Sequence, residues 1–370
     1  MCSYLSRCAL ILWCVSLLLP SPHNVAAQPV WSDEVVKDSV VLAKELKKQG
    51  FVPPPDFKAL VVVLSPDRHK GYTTTVYDYK GTSTDATNWW PASSIKLYAA
   101  IAALEKAASM GFSPTAQLIY HYDDGPKKYS LEHLVKQALI PSDNWSYDRL
   151  VEFVGFEELN HGFLTPAKGF SGTVLQRAYG ARLRMGEKQR GTLRHSPKIE
   201  VMEGRFHKEL PERSGKSTFD DCQDEGNCTP LVDLAEAIRR VVLHDKLPEQ
   251  QRFSLGPGHL KLLRSALSSK RPRGNGVVDG LRKGLGKLTT TLYHKPGFAL
   301  QWFSDVVFVA PRGQKTKYIV AMAGYPGRDA LNDAAWHVGR LITKKVLKPL
   351  VLNRSETPVD PLRGSAEIRK

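Results

Sequence analysis

The chain has 370 residues and a formal net charge of +15, since 52 lysines and arginines outnumber 37 aspartates and glutamates. A basic surface of this kind favours anionic surroundings such as cell-wall polymer, lipid headgroups or nucleic acid. The basic residues are spread along the chain and no nucleic-acid-binding motif is present. The composition therefore predicts a solvated basic surface and no nucleic-acid partner.

The first 27 residues are predicted to be a cleavable secretory signal. Arg7 precedes an apolar run over 9–19, and Val25 and Ala27 are acceptable at the two positions that a signal peptidase reads. The run is shorter than the roughly 18 apolar residues that a membrane anchor needs. We therefore expect a mature chain that begins at Gln28, is exported to the periplasm or outside the cell, and has no stable membrane span.

Only two cysteines, Cys222 and Cys228, remain in the predicted mature chain. A pair this close together in a polar loop is typical of a disulfide formed outside the cytoplasm, and two free thiols are the alternative. The small loop that such a bond closes should stabilise the fold by about 2 kcal/mol.

The predicted elements run from strands to helices and back to strands. Apolar periodicity predicts a helix over 35–46, and β-branched runs predict a hairpin of strands over 59–64 and 72–79. A strong helix follows over 93–110. The later predictions are helices over 131–139, 144–153 and 231–243, strands over 288–293, 298–303, 306–310 and 318–323, and a closing helix from Asp333 to about residue 347.

This order predicts an α/β (α+β) fold with two lobes in one domain over 28–352. A mainly antiparallel sheet would form from both chain ends, about 55–100 and 270–350, with a helical lobe inserted over about 101–269. Residues 353–370 are predicted to be a polar tail. The segment over 165–228 has weak periodicity and predicts no clear element.

A candidate nucleophile lies at the start of the strong helix, in the sequence Ser93-Ser94-Ile95-Lys96. Ser93 and Lys96 are three residues apart, so their side chains share one face of the helix. A serine hydroxyl is a poor nucleophile until a neighbouring group takes its proton, and a desolvated lysine can do so. The motif is weak when taken alone.

Two further motifs supply polar groups of the same kind. Ser142-Asp143-Asn144 lies in a predicted loop between helices, where Ser142 could relay a proton and Asn144 could orient lysine and substrate; a simple helix cap is the alternative. Lys295-Pro296-Gly297 leads into a strand, where Lys295 could bind a carboxylate and Gly297 would let a substrate approach. The amides of Ser93 and Phe298 could together form an oxyanion hole.

Taken in chain order, the three motifs resemble the S-x-x-K, S-D-N and K-T-G set of class A β-lactamases and penicillin-binding proteins. The surrounding sequence is similar to that family over about 55–345. The resemblance implies a β-lactamase-like fold and a covalent serine mechanism without metal or cofactor. Its implied catalytic residues are Ser93, Lys96 and Ser142, and its implied substrate-binding residues are Asn144, Lys295, Gly297 and Phe298.

Two departures from the family pattern limit what can be expected of the substrate and the turnover. Pro296 replaces the hydroxyl residue of the third motif, so carboxylate recognition should be weaker or rearranged. No E-x-x-L-N sequence stands where class A enzymes place the glutamate that activates water. Glu157-Glu158-Leu159-Asn160 follows the second motif too soon, which leaves Glu187, Glu200, Glu203 and Glu212 as candidates.

The resemblance implies a serine hydrolase that acts on β-lactams or a related amide, with a small-molecule or peptidoglycan-like substrate as its partner. A cell-wall D,D-peptidase or a slow-turnover penicillin-binding protein on the same fold is the first alternative. A catalytically silent receptor or scaffold is the second, because the missing glutamate and Pro296 are both compatible with lost turnover.

Overall fold

The computed structural model describes the chain over 35–66, 71–180, 195–214, 222, 226–269, 276–288 and 290–350. The predicted signal over 1–27, the tail over 353–370 and Glu187 lie outside these residues.

A six-stranded sheet is built from both ends of the described chain, as the sequence predicted. Its strands are β1 (Val35–Asp38), β2 (Lys58–Pro66), β3 (Tyr72–Asp78), β10 (Thr290–Ala299), β11 (Trp302–Pro311) and β12 (Lys317–Gly324). They are arranged in the order β1-β3-β2-β12-β11-β10, and every neighbouring pair is antiparallel except β1 and β3. The strand β10 therefore lies at an edge of this sheet.

The central strands are apolar because both of their faces are covered. Successive side chains of a strand point to opposite faces. In β2, Leu60 and Val62 join the core on the side of the inserted lobe, while Val61 and Val63 join the core on the other side.

The second face of the sheet is covered by α1 (Val41–Lys48), α7 (Val277–Leu285) and α8 (Arg328–Thr343). The backbones of α7 and α8 touch, because a Cβ atom on Gly284 would lie only 2.1 Å from the carbonyl oxygen of Trp336.

The inserted lobe contains helices and also strands that the sequence did not reveal. Its helices are α2 (Lys96–Ser109), α3 (Leu131–Leu139), α4 (Asn144–Val154), α5 (Leu231–Val242) and α6 (Pro257–Ser268). An antiparallel sheet in the order β5-β4-β7-β8 comprises β4 (Gln117–Tyr122), β5 (Gly125–Ser130), β7 (Lys198–Glu203) and β8 (Phe206–Leu210). A short pair is formed by β6 (His195–Ser196) and β9 (Arg213–Ser214). The expected helical lobe is therefore present, and it also contains strands that were not predicted.

Three predicted boundaries were wrong. The helix predicted over 35–46 is divided into β1 and α1, because the Asp38 carboxylate accepts hydrogen bonds from the amides of Val40 and Val41 and so starts a new element. The closing helix begins at Arg328, before Asp333, and needs no side-chain cap.

The third wrong boundary concerns the strands around the third motif. The predicted strands over 288–293 and 298–303 are replaced by the continuous β10 and by a two-residue turn at Leu300 and Gln301, whose φ angles are 51° and 65°. Pro296 is tolerated inside β10 because an edge strand has one side free of ladder hydrogen bonds. The turn lacks the glycine or asparagine that normally marks such a position.

The predicted disulfide is confirmed, since Cys222 and Cys228 are joined with a Cα–Cα distance of 5.6 Å. Within the described ranges, no helix is both long enough and apolar enough to cross a membrane.

Candidate active site

The Ser93 turn, residues 91–95, leads directly into α2. Residues Ala92–Ile95 form a 3-10 turn, and Ala92 adopts a left-handed φ of 48°, which is strained for any residue with a side chain. Ser93 is half-buried. Ser94 is fully buried, and its hydroxyl donates to the carbonyl oxygen of Pro91 across 2.7 Å. Of the two serines, Ser93 is therefore the one that retains contact with solvent.

Lys96 occupies the first position of α2 and is fully buried. Its Nζ donates to the carbonyl oxygen of Ser142 at 2.5 Å and to the Oδ1 of Asn144 at 2.6 Å, and lies 3.5 Å from the Oγ of Ser142. The first and second motifs thus meet through this amine.

The second motif lies in the connection between α3 and α4. Ser142 has a left-handed φ of 65°, and Asp143 caps α4 by accepting the amide of Ser146 at 2.6 Å. Lys295, which is also fully buried, donates from its Nζ to the Oγ of Ser142 at 2.7 Å. The segment is therefore both a helix cap and the point where two buried amines converge.

Ser93 lies close to this cluster because it is only three residues before Lys96 in the sequence. The two amines meet at the second motif, where Lys96 contacts Ser142 and Asn144 and Lys295 contacts Ser142. Ser93 precedes Lys96 by one helical turn, which places both on the same side of the segment.

The backbone of β10 lies against the Ser93 turn at Gly297. A Cβ atom on Gly297 would lie 2.3 Å from the carbonyl oxygen of Pro91 and 2.8 Å from the amide nitrogen of Ser94, so only glycine fits there. The buried hydroxyl of Ser304, on β11 opposite Gly297, donates to the same Pro91 oxygen at 3.1 Å. The side chain of Phe298 is 63% exposed.

Sequence reasoning missed Ser304, which stands beside Asp305 in a strand whose other residues are apolar. That break in the apolar pattern was the available signal. It also missed Tyr179, which lies in the segment without clear periodicity. The Tyr179 ring centroid is 5.7 Å from the Nζ of Lys96, and its hydroxyl donates to the carbonyl oxygen of Ala92 at 2.9 Å. No local pattern could have indicated this contact.

We call residues 171–180, which end with Tyr179 and Gly180, the strap. The buried carboxylate of Asp148 on α4 accepts the amides of Tyr179 at 2.8 Å and of Gly180 at 2.6 Å. Burial raises the pKa of Asp148 to about 7, although these two amides and the positive charge of Lys96 oppose the increase.

Other buried polar side chains hold the earlier part of the strap. The Oδ1 of Asn227, next to the disulfide, accepts the amides of Gln176 and Arg177, both at 2.8 Å. Asp233 on α5 accepts the hydroxyl of Thr173 at 2.7 Å and the amides of residues 171 and 172. Burial raises the pKa of Asp233 to about 6 against these hydrogen bonds.

Glu203, one of the glutamates considered for water activation, lies far from Ser93 in the described structure. Glu203 on β7 accepts the amide of Ser113, beyond the end of α2 that lies farthest from Ser93. A helix of this length extends for about 20 Å. Glu200 is on the same strand, and Glu212 lies 3.6 Å from His195. Glu158, at the start of the π-helical turn Glu158–Phe163, forms an ion pair with Lys106 on α2.

Over the described ranges, no group of three or more histidine, cysteine, aspartate or glutamate side chains is placed to hold a metal ion.

Comparisons with known proteins show the family and the fold of this chain. A family model described as the β-lactamase enzyme family matches residues 73–346. No curated protein sequence matches the chain. Among solved structures, a mutant of PBP-A in an acyl-enzyme complex with penicillin G has 16% sequence identity and a TM-score of 0.52, covering 82% of this chain and 94% of PBP-A.

Two class A or related β-lactamases are similar to the same extent. A mutant of the class A β-lactamase of the last common ancestor of Gram-negative bacteria has 18% identity and a TM-score of 0.51, over 82% of this chain and 97% of the other. A β-lactamase from Xanthomonas campestris pv. campestris has 16% identity and a TM-score of 0.52, over 83% and 96%. At these identities the structural likeness shows the fold alone, whereas the family model spans most of the chain. The chain therefore belongs to the β-lactamase enzyme family of serine hydrolases.

Proposed function

We propose that this protein forms an acyl-enzyme on Ser93 with β-lactams or a related amide and then hydrolyses it. The observation that carries the proposal is the convergence of two buried amines, those of Lys96 and Lys295, on the hydroxyl of Ser142, beside the turn that presents Ser93. Burying a lysine amine is costly unless the amine is paired or used, so two buried lysine side chains at one hydroxyl favour a functional role.

In the acylation step, the Oγ of Ser93 attacks the carbonyl carbon of the amide while Lys96, in its neutral form, takes the serine proton. The carbon–nitrogen bond breaks, and the leaving nitrogen receives a proton through the hydroxyl of Ser142. Asn144, which contacts Lys96, would hold both the amine and the substrate.

Groups on β10 and on the Ser93 turn would stabilise negative charge on the substrate. The amides of Ser93 and Phe298 would donate to the developing oxyanion, and the contact between Gly297 and this turn supports their proximity. Lys295 would attract a substrate carboxylate. In the second step, water attacks the ester carbonyl, the bond to Ser93 Oγ breaks, and the proton returns to that oxygen.

A slow-turnover penicillin-binding protein is the second candidate, and Tyr179 favours it. The side of Lys96 that faces the strap is covered by a phenol ring, and a phenol does not activate water at neutral pH as a carboxylate would. The solved acyl-enzyme of PBP-A shows that a protein of this fold can hold penicillin G covalently.

Incubation with fluorescent penicillin, followed by intact-mass measurement, tests the proposal. We expect one adduct per chain, located on Ser93 and absent from Ser93→Ala. Rapid loss of the adduct would identify a β-lactamase, and a persistent adduct would identify the penicillin-binding candidate. No adduct, with no hydrolysis of esters or amides, would contradict both and favour a silent scaffold.

Ser94→Ala is the matched control. It removes the buried hydrogen bond to Pro91 and should cost about 1 kcal/mol of stability. It should nevertheless keep the adduct. An adduct lost in Ser94→Ala and retained in Ser93→Ala would show that the nucleophile has been assigned to the wrong serine.

A further inference from the structure

The side of the Ser93 turn that faces the strap is in contact with Tyr179. The Tyr179 ring lies over the Lys96 amine at 5.7 Å, within the range of a cation–π contact, and its hydroxyl bonds to Ala92, the residue before Ser93. One side chain therefore contacts both the proposed base and the backbone that presents the proposed nucleophile.

The structure fixes Tyr179 from its backbone as well as from its ring. The carboxylate of Asp148 accepts the amides of Tyr179 and Gly180, and Asn227 accepts the amides of Gln176 and Arg177 just before them. Buried polar groups that are fully hydrogen-bonded make local structure rigid. The ring is therefore held in place before any substrate arrives.

We propose that Tyr179 is a positioning residue, which holds the Ser93 turn through Ala92 and shields Lys96 and the acyl-enzyme from water, so that the adduct on Ser93 is long-lived. The proposal rests on the proposed function in its slow-turnover form, since it assumes that Ser93 is acylated and that the adduct persists; rapid loss of the adduct from the wild type would overturn it. It goes further by assigning the lifetime of the adduct to one residue outside the three motifs.

The backbone strain at Ala92 and the protonation of the Tyr179 hydroxyl both support this role. Ala92 has a left-handed φ, and a strained conformation of this kind persists only when its surroundings stabilise it, as the hydroxyl of Tyr179 does. Burial also raises the pKa of the Tyr179 hydroxyl well above its ordinary value. The hydroxyl therefore stays protonated near neutral pH, donates to Ala92, and cannot remove a proton from water.

Two substitutions separate the roles of the hydroxyl and the ring. Tyr179→Phe keeps the ring over Lys96 and loses the bond to Ala92, so adduct formation should slow by about three- to tenfold, as expected for one hydrogen bond, with an unchanged adduct lifetime. Tyr179→Ala also opens the space over Lys96, so the adduct should be lost at least tenfold faster. Both rates come from time-resolved intact mass with fluorescent penicillin.

Tyr147→Phe is the matched control. Tyr147 is a buried tyrosine whose hydroxyl donates to the strap at the carbonyl oxygen of Arg177, at 3.2 Å, but its hydroxyl is not bonded to Ala92. Both rates should stay within twofold of the wild type. An equal effect of Tyr147→Phe and Tyr179→Phe would show that general loosening of the strap is responsible, and would overturn the proposal.

A second measurement does not depend on acylation. Reductive methylation followed by peptide mass spectrometry should leave Lys96 unmodified in the wild type and in Tyr179→Phe, and should modify it in folded Tyr179→Ala. Protection of Lys96 in Tyr179→Ala, or an adduct lifetime equal to that of the wild type, would overturn the shielding role while the proposed function stands.

If Tyr179→Ala does not fold, an unchanged rate of adduct formation in Tyr179→Phe overturns the positioning role. A wild type that forms no adduct overturns the proposed function, and the lifetime claim with it.

Discussion

Asp148 is a buried carboxyl group that holds the strap and feels several charges. It lies on α4 with Glu152 one turn away, it faces Lys96, and it accepts the amides of Tyr179 and Gly180. Desolvation is the largest of these influences and raises its pKa to about 7. The stability of the fold should therefore depend on pH at this residue.

The sign of that dependence follows from proton counting. Between about pH 4 and pH 7 the folded protein keeps the Asp148 proton and the unfolded chain does not, so the free energy of unfolding falls as the pH rises, by up to about 1.4 kcal/mol per pH unit. Above the folded pKa the contribution is constant. We expect Asp148→Asn to have a flatter profile over this interval.

Chemical denaturation of both proteins at pH 5, 6, 7 and 8 provides the comparison. Asp233, with a pKa of about 6, contributes a similar slope in both proteins, so the difference between the two curves isolates Asp148. Asparagine presents a donor to one of the two amides and should lower stability overall. For this reason the slopes, and not the absolute values, are compared. Parallel curves would contradict the prediction.

At the scale of elements, the contact between β10 and the Ser93 turn brings the site together. Gly297 has no room for a side chain, and the hydroxyl of Ser304 ties the same carbonyl group from the neighbouring strand. Any atom added at residue 297 must push the edge strand away from the turn.

We expect Gly297→Ala to lower the free energy of unfolding by roughly 1–3 kcal/mol, as overpacking usually does, and to slow adduct formation on Ser93 at least tenfold. Thermal unfolding and the fluorescent-penicillin assay measure the two effects. Gly71→Ala is the control, because its Cβ atom would meet nothing within 4 Å. A Gly297→Ala protein with wild-type stability would be incompatible with the described contact.

The sequence predicted the helices and strands that are indicated by patterns of neighbouring residues. The hairpin of β2 and β3 was visible in β-branched runs, and α2 in its apolar spacing. The strand β10 was divided in two because Pro296 and Gly297 normally interrupt strands, and only its position at the sheet edge makes them acceptable.

The candidate site was predictable to a similar degree and for similar reasons. Lys96, Ser142, Asn144 and Lys295 stand in short motifs, and the structure brings these four together. The strap could not be predicted, because its conformation is set by side chains on distant segments, among them Asp148, Asn227 and Asp233. The residues near the strap in the sequence carry no information about these long-range contacts.

At the scale of the whole molecule, the disulfide and the predicted signal point to the same compartment. The bond between Cys222 and Cys228 is typical of oxidising surroundings outside the cytoplasm, and Asn227 links its loop to the strap. We infer that the protein is exported and oxidised before it acts.

Expression in a secreting host tests this inference. The exported protein should begin at Gln28 by N-terminal mass mapping, and its two cysteines should react with an alkylating reagent only after reduction. Ala27→Glu should block cleavage, because the peptidase reads a small residue there. A chain retained in the cytoplasm with an intact leader and two reactive thiols would contradict export.

The hydroxyl of Ser142 is shared by two lysine side chains, and the number of its lone pairs limits what else it can bind. A lysine ammonium group only donates, whereas a hydroxyl has two lone pairs and one hydrogen. Lys295 donates to this oxygen at 2.7 Å and Lys96 approaches it to 3.5 Å, so both lone pairs are engaged when the amines are charged. The hydrogen must then point to an acceptor other than the lysines. The Ser142 hydroxyl is therefore oriented as a hydrogen-bond donor. The cleft would bind a lactam nitrogen or a carboxylate more readily than a cationic ligand.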